Sequence, residues 1–409
     1  MEKWSSKMAK VPKYAPEFRI RINGEPLPLA LSAAISSVTY QDGLEGADRV
    51  EVTFANPALR WLDNPVLQAD NGFSLSIGYA PDPLEEVFVG EITGVEPSFP
   101  GGGMPTIRVT AQDFLQRLTH GKKDRAFRVS IPSIGNFPVP DPAVAALVSA
   151  TNLLVPNLDP VGGALSVLMT LAAYITTPEG GQVPVRRQES VSDFDFLSGI
   201  AKENGWEMFI DHTQQPRGYV LRFKFLIQDY APSVTLRWGK SLMDFTPRLT
   251  TVGDLFGVTA RVWIATLKTE FVIVVGWDFD RASFNLQIYP NLIGDIDDAL
   301  GPEAGGKTLS IKPTGFPTAL QEILTELLPR LNNRLTGSGT TIGEPAIKAG
   351  AVINLEGLGE QFSGLYRITT ATHTLDSGGY RTNFGVRKEV WFGSIPIPKG
   401  PMPPVRLQG

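Results

Sequence analysis

The sequence predicts a mainly β chain of α+β class, with two antiparallel β-barrels on either side of an α/β middle. Three observations carry that reading. Apolar and polar residues alternate in many short runs, as strands with one buried face require. The 41 glycines and 33 prolines among 409 residues stand between those runs as turn punctuation, not in low-complexity blocks. A long hairpin in the first third of the chain is echoed near the C-terminus.

The first hairpin runs from Val87 to Leu118. Pro100, Gly101, Gly102, Gly103 and Pro105 supply its turn, because glycine reaches positive φ freely and proline interrupts a ladder. Ile107 and Val109 then point to one face, and Thr106, Arg108 and Thr110 to the other. The echo runs from Phe362 to Arg387. Phe88, Val89 and Gly90 are matched there by Phe362, Ser363 and Gly364, and Thr106 by Thr382. Such repetition is what a duplicated domain leaves behind.

In chain order, residues 1–16 read as a polar, extended arm. Residues 17–118 form the first barrel. Phe18, Ile20 and Ile22 alternate up to Asn23-Gly24, a strong hairpin signal, after which Leu27, Leu29 and Leu31 are expected to return as a strand. Val50, Val52 and Phe54 make the next strand, Asn56-Pro57 opens a turn through Trp61, and Phe73, Leu75, Ile77 and Tyr79 make another strand.

Residues 119–225 change period. Asp141 is expected to cap a helix over Ala143 to Ala150, with Pro142 at its first position. Ala164 to Ile175 reads as a second helix. Ser192 caps a third, whose Phe194, Leu197, Ile200 and Ala201 share a face until Gly205 ends it.

Residues 226–393 form the second barrel. Leu221, Phe223 and Phe225 mark the return of strands, followed by Val234 to Trp238 and Val258 to Ile264. The continuous apolar run Phe271 to Val275 reads as a strand buried on both faces. A helical insertion at about residues 316–336 opens with a Thr318/Gln321 capping box, carries a leucine stripe and should kink at Pro329. Closing strands follow Ala346, and residues 394–409 form a proline-rich, extended tail.

Composition excludes several function classes. Charged residues make up 19%, below the ~25% of a typical soluble domain, which suits a surface partly covered in an assembly. A net charge of −5 with no basic run gives no nucleic-acid footprint. With no cysteine there is no disulfide, thiolate nucleophile or Cys-ligated zinc, which fits folding in a reducing cytoplasm. Lys3, Lys7, Lys10 and Lys13 do not begin a signal peptide, because the apolar run that follows starts late and is broken by Pro28. The run from Gly162 to Thr177 is shorter than the ~20 residues of a membrane helix, so no membrane span is expected.

No catalytic, cofactor-binding or metal-binding residue is predicted. Gly301, Gly306, Lys307 and Thr308 match the phosphate-loop pattern, but acidic residues precede it, and Leu309 and Ile311 follow with strand-like spacing where a helix is required. Asp295, Asp297 and Asp298 lack the glycine and trailing glutamate of a calcium loop. The three histidines, His120, His212 and His373, have no paired spacing. Asp193 with Asp195, or Glu356 with Glu360, have the residue types of glycosidase carboxylates, yet capping and turn roles explain them. Trp206, Trp238, Trp263 and Trp277 sit in or beside strands and are expected in the core.

Several stretches together carry a resemblance. They are DRVEVTFANP (Asp48 to Pro57), IGY (Ile77 to Tyr79) running on to FVGEITGVEP (Phe88 to Pro97), SDFDFL and AKENGW (Ser192 to Trp206), and FSGLYRI, HTL and GGYRT (Phe362 to Thr382). In this order and spacing the chain resembles the late control gene D family, baseplate hub proteins of contractile phage tails and related injection systems. The resemblance covers most of the chain. It implies a homotrimer whose two tube-protein-like barrels per subunit form a pseudo-sixfold ring, enclosing a channel between the sixfold tail tube and a threefold spike. It also implies a non-enzymatic virion or injection-particle component, assembled in the cytoplasm with the tail tube protein and baseplate wedge components as partners. The short proline-rich tail has no room for a needle, so a separate spike protein is expected. Two readings from other classes stay open at this point: a tail-associated peptidoglycan hydrolase, and a carbohydrate-binding β-protein.

Overall fold

The computed structural model describes residues 15–131, 135–176, 185–225, 231–250, 255–264, 269–278, 283–291, 307–311 and 332–389. The strands in chain order are β1 (Ala15–Ile22), β2 (Glu25–Pro26), β3 (Ile35–Gly43), β4 (Arg49–Ala55), β5 (Gly72–Ala80), β6 (Glu85–Ser98) and β7 (Thr106–Asp113). The middle holds β8 (Lys123–Ile131), β9 (Gly135–Pro138), β10 (Val155–Leu158), β11 (Arg186–Val191), β12 (Trp206–Ile210) and β13 (Val220–Phe225). Then come β14 (Val234–Arg237), β15 (Leu242–Leu249), β16 (Leu255–Ile264), β17 (Thr269–Asp278), β18 (Ser283–Asn291) and β19 (Lys307–Ile311). The chain closes with β20 (Leu335–Ile342), β21 (Val352–Glu356), β22 (Gly364–Asp376) and β23 (Gly379–Arg387).

A 13-stranded sheet dominates, ordered β15-β20-β23-β22-β3-β4-β7-β6-β5-β1-β2, with β21 on β22 and β14 on β21. It contains two sets of strands with one plan. In the first, spatial order is β3-β4-β7-β6-β5-β1; in the second it is β15-β20-β23-β22-β21-β14. Both sets use their strands in the same chain order. Two pairs of register irregularities also coincide. The hairpin β6·β7 slips at Thr93, between Ile92 and Gly94, and β22·β23 slips at Thr369, between Ile368 and Thr370. The pair β3·β4 slips between Ile35 and Ser37, and β15·β20 between Leu242 and Asp244. A bulge re-aims a strand and raises its twist, so repeating it at the same place repeats the curvature of the sheet.

The mainly β class and the α/β middle are as the sequence predicts, with differences of detail. The two sets are joined edge to edge in one open sheet and are not two closed barrels, because β22 outruns β21 and its distal half, Thr370 to Leu375, pairs with β3 from Gly43 to Val38. Thr93 and Thr369 correspond, so the echo of Phe88 by Phe362 stands two residues out of step. The sets differ in two respects: β1 is antiparallel to β5, whereas β14 is parallel to β21, and β5·β6 slips between Leu75 and Ser76 where β21·β22 runs without a slip.

Leu29 to Ser32 form a helical turn, α1, not a returning strand; Pro28 stands at its N-cap, and only Leu31 is buried. Asn23 and Gly24, at φ 52 and 84, do make the tight turn that joins β1 to β2. The core of the first set is packed by Val38, Val52, Phe54, Leu75, Phe88, Ile92 and Val109, all at most 1% exposed.

In the middle, β10 and β12 flank β13 in one sheet and β11-β8-β9 form another. Helices α2 (Asp141–Thr151), α3 (Pro160–Thr176) and α4 (Asp193–Glu203) accompany them. Pro140, not Asp141, is the N-cap of α2; Asp141 lies in the first turn and holds Arg186 by two bonds of 2.7 and 2.8 Å. Ser192 caps α4 as expected, accepting from the Asp195 amide at 3.0 Å and donating to its carboxylate at 2.7 Å. Strands β16 to β19 form a separate four-stranded sheet. The expected capping box at Thr318, the kink at Pro329, the arm up to residue 14 and the tail from residue 390 lie outside the described residues.

Candidate functional site

Polar groups from three parts of the chain converge beneath the first hairpin. Asp48 precedes β4. Its Oδ2 accepts from the Tyr40 hydroxyl at 3.2 Å and its Oδ1 from the Gly43 amide at 3.2 Å. Asp113 ends β7 and caps the 3₁₀ turn Phe114–Thr119 by accepting from the Leu115 amide at 3.0 Å, while its Oδ2 accepts from the Asp48 amide at 3.2 Å. His212, from the loop after β12, lies with Nε2 at 3.4 Å from Asp48 Oδ2 and 4.0 Å from Asp113 Oδ2. All three side chains are buried. From the loop before β21, the Ala349 amide donates to Asp42 at 2.8 Å.

Electrostatics follow from burial. Desolvation pushes the Asp48 carboxyl up to about 7. Asp113 is pushed up by burial and by the neighbouring Asp48 charge, and Asp42 likewise. Two carboxylates side by side out of water relieve their repulsion by sharing a proton. Burial holds the His212 imidazole down at about 4, against the pull of Asp42.

Asp48, Asp113 and His212 place their ligand atoms within 4.8 Å of one another, a spacing that invites a metal reading. The tautomer opposes it. His212 Nδ1 accepts from the Val89 amide at 3.3 Å, so Nε2 carries the proton toward the carboxylates and offers no lone pair there. The cluster therefore joins the first strand set to the middle through the Val89 to His212 hydrogen bond and the buried approach of Nε2 to the two carboxylates.

A second buried cluster lies at the seam between the sets. His373 on β22 stacks on Tyr40 of β3 with ring centroids 5.6 Å apart. Its Nε2 donates to the Ile347 carbonyl at 2.9 Å, and its Nδ1 lies 2.8 Å from the Tyr380 hydroxyl. Arg367, fully buried, holds Glu389 at 2.7 Å and the Gly350 carbonyl at 2.8 Å. Arg387 reaches from β23 to Glu207 of β12 at 2.5 Å, tying the second set to the middle.

The residues weighed in the sequence fall elsewhere. His120 follows the 3₁₀ turn and is exposed. Asp193 is 1% exposed and takes donors from Lys123, Arg125, Asn152 and Gln188 at 2.5 to 2.9 Å, the binding of a structural anchor. Glu356 ends β21, and Glu360 lies in the short helix Gly359–Phe362. Lys307 and Thr308 open strand β19 where a phosphate loop needs a helix; Gly301 and Gly306, with Asp295, Asp297 and Asp298, lie outside the described residues. Trp206 is in the core, but Trp238 is 60% exposed, against expectation. Trp263 and Trp277 lie on β16 and β17, and their side chains are outside the description. The Asp48-Asp113-His212 cluster carries no spacing signal, since fold topology alone brings its members together. Asp113 just ahead of Phe114 was the one local clue, as a capping residue. No helix among the described residues is long and apolar enough to cross a membrane.

No protein-family model matches this chain, and no curated protein does. Solved structures do. The chain is similar to the 43 kDa tail protein of prophage MuSo2 from Shewanella oneidensis, at 13% identity and TM-score 0.59, over 91% of this chain and 98% of that one. It is similar to the tail protein from Neisseria meningitidis MC58, at 12% identity and TM-score 0.59, over 93% and 98%. A component of the Escherichia coli type VI secretion system, itself structurally similar to bacteriophage T4 tail proteins, matches at 12% identity and TM-score 0.52, over 92% and 79%. The fold is thus one that phage tail proteins use along nearly their whole length.

Proposed function

We propose that this chain is the structural hub subunit of a baseplate in a contractile tail or tail-like injection system, without catalytic activity. Three copies form a ring that joins a sixfold tail tube to a threefold spike and encloses the channel between them. The tube protein, a spike protein and wedge components are its partners in the particle.

The observation that carries this reading is the repeated strand plan. A threefold body and a sixfold body share equivalent contacts only through an adaptor that displays three units on one side and six similar ones on the other. Two strand sets per chain, alike in order and in the position of two bulges, supply six units from three chains. Head-to-tail contacts that close produce such rings. The likeness to tail proteins of phages supports the same particle class.

Light scattering on the purified chain tests it. Three 44.4 kDa chains per particle are expected. A stable monomer would favour the carbohydrate-binding reading instead, and release of muropeptides from purified peptidoglycan the hydrolase reading.

A further inference from the structure

We propose that the free edge of β6 in one copy pairs with the free edge of β15 in a second copy, in the register that β22 and β3 use inside the chain. The inference deepens the ring reading by naming its contact, and rests on it only for the number of chains.

The seam inside the chain defines the geometry. The distal half of β22 runs past β21 and meets β3, with Thr370 opposite Gly43, His373 opposite Tyr40 and Leu375 opposite Val38. The counterpart of β22 is β6. Strand β5 pairs only with Glu85 to Glu91 of β6, and Ile92 bonds back to Asp70 and Asn71, so among the described residues Thr93 to Ser98 have no strand on that side. The counterpart of β3 is β15, which among the described residues ends the sheet and pairs only with β20. Each chain thus carries one closed seam and, at its two ends, the two halves of an open one.

The bulges fix how the open halves align. Thr93 corresponds to Thr369 and Met243 to Ser36, which sets Val95 against Leu249, Glu96 against Arg248, Pro97 against Pro247, Ser98 against Thr246 and Phe99 against Phe245. Nothing in this register was chosen for chemistry, yet both faces match. On the face that holds the core inside the chain, apolar residues meet apolar ones, and Phe99, now 58% exposed, gains an aromatic partner. On the other face Glu96, whose side chain is 65% exposed, meets Arg248, and serine meets threonine. Opposite charges across a ladder stabilise it and like charges weaken it.

The prolines thin the ladder at one place. Neither Pro97 nor Pro247 brings an N–H, so the ladder is expected on either side of them and not between them. Any strand zipping onto either edge finds no donor there for its own carbonyl, a device that blunts edges. At the proposed contact the bonds on either side of the Pro97/Pro247 pair carry the ladder.

Cross-linking tests the register, and the chain has no cysteine of its own. The Leu44 amide donates to the Thr369 carbonyl at 3.1 Å on the internal seam, which makes Gln41 and Thr372 a non-bonded pair, and Arg248 and Glu96 hold the same place. Such pairs have Cα atoms ~4.5 Å apart, within disulfide reach. Chains carrying Glu96→Cys, mixed with chains carrying Arg248→Cys and oxidised, are expected to cross-link. Chains with Glu96→Cys mixed with Thr246→Cys, one step out of register, are not. The double variant is expected to give bands that stop at three chains. Glu96→Arg should weaken each contact by about fivefold, and adding Arg248→Glu should restore it. Trimers by light scattering without the cross-link, or with equal cross-linking in the shifted pair, overturn the edge pairing and leave the trimer standing. Specific cross-linking that ends at two chains or runs beyond three keeps the edge and overturns the number. A chain that stays monomeric and uncross-linked at high concentration overturns both.

Discussion

Tyr40 and His373 stack almost parallel, 17° between ring planes, at the one place where the two strand sets of this chain become a single sheet. Tyr40 belongs to the first set and His373 to the second, and each also holds a polar partner on its own side. His373→Ala removes the stack and leaves the Ile347 carbonyl and Tyr380 hydroxyl without it. A loss of about 3 kcal/mol is expected, read as a lower midpoint in denaturant. An unchanged midpoint would mean that the seam does not hold the sets together.

The acid cluster predicts a pH dependence with a definite sign. Asp48 has a folded value of about 7, raised from the carboxylate value of 3.8 by burial. Its stabilising contribution is therefore full below the unfolded value and is lost as pH rises toward 7. Asp48→Asn should flatten that part of the curve, gaining on the parent at pH 8 relative to pH 4.

His212 acts in the opposite sense. Its folded value is about 4, below 6.5 because burial disfavours the imidazolium. Its contribution is present above the unfolded value and is lost as pH falls from 6.5 through 4. Chemical denaturation of His212→Gln between pH 4 and 8 should lack this acid-side loss; a curve parallel to the parent's would contradict the assignment.

Much of the fold was legible because its signals are local. Val50, Val52 and Phe54 alternate, Asn23-Gly24 turns, and Ser192 caps, each by chemistry contained within a few residues. Leu27 to Leu31 alternate equally well, yet the chain turns helically there, since Pro28 supplies no donor and suits a helix entry. The joining of the sets was not legible. It depends on β22 outrunning β21 and meeting β3 more than 300 residues away in the chain, as the Ala349 to Asp42 bond does. The Asp48-Asp113-His212 cluster is hidden for the same reason. The repeated strand plan was visible as a faint echo, in step with the bulges where Thr382 matches Thr106 and displaced by two residues where Phe362 matches Phe88.

Asp193 anchors the middle. Lys123, Arg125, Asn152 and Gln188 all donate to it, and although burial opposes ionisation, the Lys123 bond and its companions hold its pKa below 3.8. Asp193→Asn should cost about 3 kcal/mol at neutral pH. The difference from the parent should shrink as pH falls through the lowered folded value, in thermal melts followed by circular dichroism.

Gly90 is required by close approach, not by backbone angle. A Cβ there would lie 2.1 Å from the Gln112 carbonyl oxygen, which belongs to the paired strand. Gly90→Ala should destabilise the first hairpin by about 2 kcal/mol or more. Hydrogen exchange across β6 and β7 checks it, with faster exchange expected there.

Electron-microscopic class averages of assembled rings, viewed along the channel, test the central claim most directly. Three chains presenting six similar lobes around the opening are expected, with threefold symmetry exact and sixfold symmetry approximate. Rings with another number of chains, or three lobes with the second strand set lying outside the ring, would contradict it.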